Sequence, residues 1–231
     1  MLSNSEFNQE VIKKISLALG EMNERVIFVG GATIGLYIDD PAAEDVRATK
    51  DVDITVEIAS LGELESIRQE LAKKGFTQSP EDNVVCRFRY DNIKVDVMST
   101  KEVGWAPANP WFSHGFARRE TVKLGDQSIH LLPLPYFIAS KFAAHKERGG
   151  KDPRTSHDFE DIVYVIDNRS DITEQINKAP NNVKPYLEEQ LGLILNDNVL
   201  QETILGNLAY DTREERYSRI IQCIEQIFTQ D

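Results

Sequence analysis

Hydrophobic positions recur along the chain with the period of a helix in some stretches and the period of a strand in others. Apolar side chains at helical spacing over residues 6–19 predict an amphipathic first helix. A short apolar run at 26–29 ends at Gly30-Gly31 and is followed by Ala32 to Ile38, which looks helical. The beginning of the chain therefore predicts a helix, a strand, a glycine turn and a second helix.

Strict alternation marks residues 51–58, where the even-numbered positions are apolar and the odd-numbered positions are polar. This period predicts a strand with one buried face. The stretch from Asp39 to Thr49 before it is expected to form an exposed, acidic loop. The elements expected after it are a helix over 61–74 that ends at Gly75 and two strands over 84–90 and 93–98.

The mixture of elements changes near residue 130. Strands and helices alternate before it, whereas helical patterns dominate from Tyr136 onward, with Pro180 and Pro185 as breaks. The sequence therefore predicts an α+β (α/β) fold. A mixed β-sheet flanked by helices is expected in residues 1–132, and a mostly helical region in residues 133–231.

Composition limits the classes of protein that remain. The chain has 231 residues, 41% of them hydrophobic, which is enough for a sizeable core. Cys86 and Cys223 lie far apart without the spacing of metal ligands, as in a protein of a reducing compartment. No signal peptide or membrane-spanning run is recognisable in the sequence. A cytoplasmic protein without a membrane partner is therefore expected. The net charge of -12 argues against general binding to nucleic acid, although a local basic patch could still bind a folded RNA.

Asp51 and Asp53 are the strongest candidates for chemistry. They are two residues apart on a predicted strand, so their carboxylates project from the same face. Two neighbouring carboxylates are costly to keep ionised without a cation, and oxygen ligands of this kind suit Mg²⁺. Asp96, between two valines on a later predicted strand, would face the same way if those valines are buried.

The glycine turn is the second candidate feature. Gly30-Gly31 at the start of a helix would let backbone N–H groups approach a triphosphate, and the Thr33 hydroxyl could add a contact. A lone D-x-D or a lone Gly-Gly is common in unrelated proteins. The order of strand, Gly-Gly, helix, acidic strand and later strand acid is more specific than either motif alone.

These segments resemble the nucleotidyltransferase superfamily typified by DNA polymerase β, and more closely its AbiEii-type abortive-infection toxin branch. The resemblance covers about residues 26–168. Phe28-Val29-Gly30-Gly31-Ala32 looks like the glycine motif of that branch, and Arg47-Ala48-Thr49-Lys50-Asp51-Val52-Asp53-Ile54 looks like its double-aspartate motif. Ile138-Ala139-Ser140-Lys141-Phe142-Ala143-Ala144 is similar to its lysine-bearing helix, and His157-Asp158-Phe159-Glu160-Asp161-Ile162 to its D-x-x-D helix.

The resemblance implies transfer of a nucleoside monophosphate from an NTP. It implies that Asp51 and Asp53 bind two Mg²⁺ ions, with Mn²⁺ as the alternative metal, and that Asp96 is the third ligand and the general base. It also implies that Lys141 contacts the triphosphate. Arg47 and Lys50, just before the acids, are further candidates for nucleotide binding, and solvated loop cations are the alternative.

Other interpretations remain open for the later motifs. Lys141 could be a snorkelling lysine on an apolar helix. Thr155-x-x-Asp158 resembles a helix capping box, so capping competes with a catalytic role for Asp158. Asp161 lies one turn further along and could orient Lys141 or an arginine. The segment from Trp105 to Arg119 could stack bases, but aromatic packing over a sheet edge is the more common role.

Two features depart from the family pattern. The stretch from Asp39 to Val46 looks like an insertion between the glycine and aspartate motifs. His157 stands where the toxin branch often has arginine, which weakens the case for phosphate contacts there.

The expected acceptor is an RNA end such as that of tRNA, or a protein side chain, as the toxin-like resemblance implies. The protein would then act in a toxin–antitoxin or phage-defence system with an antitoxin-like partner. One alternative is a small-molecule acceptor such as an aminoglycoside, because an acidic surface suits a cationic substrate. The other is a non-catalytic module that binds a nucleotide or a partner protein.

Overall fold

The computed structural model describes residues 2–148 and 152–229. Its helices are α1 (Asn4–Leu19), α2 (Leu61–Lys73), α3 (Phe112–Phe116), α4 (Leu134–Arg148), α5 (His157–Asn168), α6 (Ile172–Asn177), α7 (Lys184–Asn196), α8 (Asn198–Asn207) and α9 (Arg213–Thr229). Its strands are β1 (Val26–Val29), β2 (Asp51–Val56), β3 (Arg87–Tyr90), β4 (Ile93–Ser99), β5 (Glu120–Leu124) and β6 (Gln127–Leu131). Short 3-10 helices lie at Gly20–Arg25, Gly31–Leu36 and Pro153–Thr155.

The strands form one mixed sheet in the order β3-β4-β2-β1-β6-β5. Strand β2 is antiparallel to β1 and parallel to β4, while β6 runs parallel to β1. The hairpins β3–β4 and β5–β6 are antiparallel. The predicted fold class, a mixed sheet with flanking helices followed by a helical region, is confirmed.

The centre of the sheet is formed by the segments with the clearest hydrophobic patterns. Every residue of β1 is buried, and β2 buries Val52 and Ile54 on one face as its alternation predicts. Helix α1 begins with a capping box in which Ser3 and Glu6 satisfy each other's backbone N–H groups. Such local signals fix where these elements begin, and burial of their apolar faces holds them together.

The chain divides into two compact units. The first consists of Met1–Gly35 and Glu44–Pro133 and contains the sheet. The second consists of Leu36–Ala43 and Leu134–Asp231. The sequence placed a boundary near Leu132, but its pattern carried no sign that Leu36–Ala43 would be grouped with the helices.

The second unit has its own apolar core and a buried ionic contact. Helix α4 is buried along nearly its whole length from Leu134 to Ala144. Asp167 on α5 is 2% exposed and accepts hydrogen bonds from Arg216 and Arg219 on α9. These contacts connect α5 with the last helix of this unit, α9. Across residues 2–148 and 152–229, no helix is both long and apolar enough to cross a membrane.

Several elements differ from their predicted type or bounds. The helix expected from Ala32 to Ile38 is a 3-10 helix over Gly31–Leu36, in which the Thr33 backbone N–H donates to the Gly30 carbonyl. The strand expected from Val84 begins only at Arg87, and Val84 and Val85 are exposed. Strand β2 ends at Val56 rather than at residue 58. Apolar residues at strand ends extend a pattern beyond the last ladder hydrogen bond, so such bounds are poorly defined by sequence.

Candidate active site

Strand β2 presents Asp51 and Asp53 from one face of the sheet. Asp51 begins the strand with 55% of its side chain exposed, and Asp53 is half-buried. Val52 lies between them, buried on the opposite face. The two carboxylates therefore share a face, as the alternation predicts.

Strand β4 brings the third acid beside them. Because β2 and β4 are parallel and in register, Asp53 is the direct partner of Asp96, and Asp51 is the partner of Lys94. Val95 and Val97 on either side of Asp96 are fully buried. The prediction that a neighbouring strand would place Asp96 next to the aspartate pair is confirmed at the level of strand register.

Arg87 on β3 binds the carboxylate of Asp96 with both arms of its guanidinium. Its Nε donates to Oδ1 and its Nη2 donates to Oδ2, each at 2.7 Å. The residues are direct partners in the antiparallel β3–β4 pair, and each side chain is only 19% exposed. This hydrogen-bonded carboxylate raises the pKa of Arg87, so the guanidinium is charged at any physiological pH.

Two further cationic side chains, Lys94 and Arg89, lie on β4 and β3. The Nζ atom of Lys94 is 3.7 Å from Asp51 Oδ1, a loose and partly exposed contact. Arg89 forms a forked contact with Asp82, a loop residue, at 2.7 and 2.8 Å. Arg87 therefore differs from these cations, because it alone among the three holds the acid that pairs in register with Asp53.

The backbone conformation of residue 30 and its contact with Asp53 explain why a glycine stands next to the acids. It has a φ of +78°, and a Cβ placed on it would come within 1.9 Å of Asp53 Oδ2. The carboxylate therefore packs directly on the glycine backbone, a position that a side chain at residue 30 would exclude. Gly30 and Asp53 are 23 positions apart in the sequence. The fold brings the glycine and aspartate motifs into contact at these two residues.

The remaining residues of the predicted nucleotide-binding set are placed less favourably for a phosphate. Thr33 is fully buried, and its hydroxyl donates to the Gly30 carbonyl rather than facing solvent. Arg47 and Lys50 are exposed in the loop before β2. Asn8 on α1 holds that loop by donating to the Arg47 carbonyl and accepting from the Thr49 N–H. Their roles toward a nucleotide stay predictions.

The donor set fits a hard divalent cation in chemistry but is not closed around one. Asp51, Asp53 and Asp96 offer only carboxylate oxygens, the ligands that Mg²⁺ prefers, and the absence of a side chain at Gly30 makes room for the Asp53 carboxylate. Within the described residues, no three His, Cys, Asp or Glu side chains are grouped so that they could hold a metal ion as they stand. Asp96 is instead bound to Arg87.

Cys86 lies immediately before this arginine and is buried. Burial raises the pKa of the Cys86 thiol to about 11, with Asp96 and Asp53 as further contributions. The thiol is therefore neutral at physiological pH and is neither a nucleophile nor a metal ligand in this state.

The second unit contains a separate ionic cluster around Lys141. Its Nζ atom lies 2.7 Å from Asp161 Oδ2 and 3.2 Å from Asp158 Oδ1. The lysine side chain is only 8% exposed. The snorkelling interpretation is therefore wrong, and the predicted contact between Lys141 and Asp161 is confirmed. Whether the cluster serves catalysis stays a prediction.

The capping interpretation of Asp158 is also wrong. Ser156, not Thr155, caps α5 by accepting from the Phe159 N–H. Asp158 instead accepts hydrogen bonds from Lys141 and Arg148 on α4. A capping box needs the acid to return to the N-cap backbone, and here the neighbouring helix offers it two cations.

Two histidines lie near this cluster in very different environments. His145 is half-buried, its Nδ1 lies 2.8 Å from Ser156 Oγ, and its ring contacts Phe159 in a tilted arrangement with the ring centroids 5.3 Å apart. Burial lowers the pKa of His145, against a smaller opposing effect of Asp158. His157 is exposed, and its Nδ1 lies 3.0 Å from Glu160 Oε2. Among the described residues, its contact is thus with a carboxylate and does not itself indicate a phosphate site.

The aromatic segment from Trp105 to Arg119 is largely a packing element. It contains α3, whose Phe112 and Phe116 are buried, and Trp105 contacts Phe88 of the sheet. The packing interpretation is confirmed for these residues. His114 and Arg118 are exposed.

Sequence reasoning missed Arg87 and Lys94. Both lie on strands that were predicted, and Arg87-Phe88-Arg89-Tyr90 alternates as β3 requires. The alternation would have placed two arginines on one face of a strand next to the acid strand. Which acid each one meets depends on strand register, which this pattern does not specify.

Comparison with known proteins decides the family. The sequence model described as "Nucleotidyl transferase AbiEii toxin, Type IV TA system" matches residues 15–217. The chain belongs to the AbiEii nucleotidyltransferase family. As a family member it is a nucleotidyltransferase, and the match includes both the acid-bearing strands and the Lys141 cluster.

One solved structure supports the same fold. An antigenic nucleotidyltransferase-like protein from Paracoccidioides brasiliensis is similar with a TM-score of 0.50 and 17% identity, covering 88% of this chain and 94% of its own. The antibiotic-resistance factor ANT(2'')-Ia has a TM-score of 0.49 and 14% identity, covering 81% and 95%. No match to a curated protein sequence is found.

Proposed function

We propose that this AbiEii-family protein transfers a nucleoside monophosphate from a magnesium-bound NTP to the end of an RNA such as tRNA. The observation that carries the proposal is the in-register pairing of Asp53 with Asp96. Asp51 lies two positions before Asp53 on β2 and on the same face of the sheet. Clustered carboxylates at a glycine corner suit metal-assisted phosphoryl transfer, which depends on positioning and charge stabilisation.

Each acid has a distinct part in this proposal. Asp51 and Asp53 would hold the magnesium ions, and Asp96 would complete the ligand set. Bound magnesium would supply charge neutralisation of the triphosphate and of the charge that develops during transfer. The acceptor oxygen forms a bond to the α-phosphorus, the bond to the pyrophosphate oxygen breaks, and Asp96 accepts the proton of the acceptor hydroxyl.

An RNA acceptor is favoured over a cationic one by the side chains beside the acids. Lys94 lies on β4, the strand next to the aspartate pair, and Arg87 and Arg89 lie on β3, the strand beyond it. Arginine binds phosphate groups with the same forked geometry that it uses toward carboxylates. These cations would meet the phosphates of an acceptor strand, whereas they would repel an aminoglycoside.

The family description also bears on partners. Because the family is described as the toxin of a type IV toxin–antitoxin system, we propose that an antitoxin protein is the physiological partner. Lys141 with Asp158 and Asp161 is proposed as a phosphate-handling cluster of the second unit.

The proposal predicts divalent-dependent labelling of RNA. Purified protein incubated with each α-³²P-labelled NTP, Mg²⁺ and total cellular RNA should transfer label to an RNA band. Asp53→Asn should abolish the transfer, because it removes a metal ligand at the centre of the acid group. Asp126→Asn is a matched control, because Asp126 is 74% exposed and forms its ion pair with Lys13 rather than with a residue of the acid group. Transfer by this variant should be unchanged.

Other outcomes would redirect the proposal. Label in protein rather than RNA would identify a protein acceptor, and aminoglycoside resistance on expression would identify the small-molecule alternative that the net charge of -12 favours. Calorimetric NTP binding without any transfer would contradict the enzymatic proposal and support a binding module.

A further inference from the structure

The strongest ionic contact at the acid group is made by a cation of the protein itself. Both oxygens of Asp96 accept hydrogen bonds from Arg87 at 2.7 Å, and both side chains are largely shielded from solvent. A divalent ion and this guanidinium require the same lone pairs. Asp96 cannot retain both arms of Arg87 and also contribute fully to a metal site.

The pair also places a positive charge beside three neighbouring carboxyl groups. Asp53 and Asp96 are register partners, and carboxylates at this spacing repel one another unless a positive charge lies between or beside them. Arg87 provides that charge from the adjacent strand. The guanidinium therefore occupies the electrostatic place of a divalent cation.

We infer that Arg87 is an internal latch, a positioning residue that holds Asp96 in the metal-free protein and competes with the divalent ion for it. Metal binding releases the guanidinium from Asp96. The released guanidinium of Arg87 then lies beside the acids, where its Nε and Nη2 atoms have the geometry to bind a phosphate group. This inference rests on the proposed metal-dependent function, and it adds a residue that the family resemblance did not assign.

Neighbouring cations provide the comparison that isolates Arg87. Arg89 is two residues away on the same strand and has the same charge, but its fork holds Asp82. Removing Arg89 removes the same unit of net charge without freeing any of the three acids. A difference between variants at 87 and 89 therefore reports the direct contact and not net charge.

The test is Mn²⁺ binding without nucleotide. The affinity of wild type, Arg87→Gln and Arg89→Gln is measured by electron paramagnetic resonance and by calorimetry, with circular dichroism to establish folding. Arg87→Gln should bind Mn²⁺ about tenfold more tightly than wild type, a difference of about 1.4 kcal/mol, because the ion no longer has to displace the charged hydrogen bonds of the guanidinium. Arg89→Gln should stay within about twofold of wild type.

Each result decides the inference. Unchanged or weaker Mn²⁺ binding by folded Arg87→Gln overturns it, as does an equal gain in Arg89→Gln. If Arg87→Gln does not fold, Arg87→Lys keeps the charge and loses the fork. That variant should bind Mn²⁺ more tightly than wild type, and a failure to do so has the same negative meaning.

The latch and the proposed enzyme can fail separately. Label transfer by wild type with no change in Mn²⁺ affinity at Arg87→Gln rejects the latch and keeps the nucleotidyltransferase. Tighter Mn²⁺ binding by Arg87→Gln with no transfer to RNA keeps the latch and rejects the acceptor.

Discussion

At the scale of single residues, the contact between Gly30 and Asp53 is the clearest link between motif and geometry. The carboxylate of Asp53 packs where a Cβ at position 30 would lie. The glycine also adopts a positive φ, which residues with a side chain rarely adopt. The glycine motif therefore has a role in shaping the acid group that does not require a bound nucleotide.

Gly30→Ala should lower both stability and metal affinity. The strained backbone costs about 1–3 kcal/mol, and the new methyl group must displace the Asp53 carboxylate. Urea unfolding and Mn²⁺ titration measure the two effects. Gly192→Ala, within α7, is the control, since its Cβ would meet Phe228 only at 3.6 Å, and it should stabilise the protein by about 0.5–1 kcal/mol. Unaltered Mn²⁺ binding in Gly30→Ala would argue that Asp53 is not a ligand.

Much of the acid group was predictable from residues alone. Alternation placed Asp51 and Asp53 on one face, and the two valines beside Asp96 placed it on the same side of the sheet. The Arg87 contact was not predictable in this way. It depends on which residues of β3 and β4 are register partners, and register is fixed by turns and packing over the whole sheet.

At the scale of elements, α4 and α5 are joined by ionic contacts on otherwise apolar surfaces. Lys141 lies between Asp158 and Asp161, and their side chains are 8%, 13% and 4% exposed. Burial of charges is tolerated only where partners compensate for lost hydration. The cluster therefore contributes to structure whatever its role toward phosphate is.

Lys141→Met should destabilise the protein by about 3 kcal/mol, because it leaves Asp161 buried without its cation. Lys146→Met on the exposed part of the same helix is the control and should change stability by less than about 0.5 kcal/mol. Urea unfolding of both variants makes the comparison. Equal, small effects would mean that the buried ion contacts contribute little and would favour a purely functional reason for the lysine.

Sequence periods predicted most elements, and the exceptions have physical causes. The helical pattern after Gly31 contains a single 3-10 helix, because Thr33 hydrogen-bonds back to Gly30 through both its N–H and its hydroxyl. The capping prediction at Thr155 failed by one residue, since Ser156 offers an equally suitable hydroxyl. Such choices between neighbouring residues of similar chemistry are decided by tertiary contacts.

At the scale of the whole molecule, net charge restricts how an RNA could be bound. The chain carries 38 acidic and 26 basic residues. The cations next to the acid group are themselves held by Asp96, Asp82 and Asp51. Affinity for RNA should therefore come from a few local contacts rather than from a broad basic surface.

Binding of single-stranded RNA without divalent ions should consequently be weak and only modestly dependent on salt. Each phosphate contact contributes about 0.7 to the slope of log K against log salt, so a slope below about 2 is expected. Fluorescence anisotropy between low and physiological salt provides the measurement. A steep slope would reveal a basic surface that the composition does not predict.

The assignment of Leu36–Ala43 to the second unit has a consequence for cutting and recombining this chain. Tyr37 stacks on Phe137, and Asp39 accepts hydrogen bonds from the backbone and hydroxyl of Ser170. A fragment beginning at Leu134 would lack this segment, including the buried side chain of Tyr37. The helical unit therefore cannot be exchanged between homologues as a single continuous segment. A chimaera would have to replace residues 36–43 together with the carboxy-terminal residues from 134 onward.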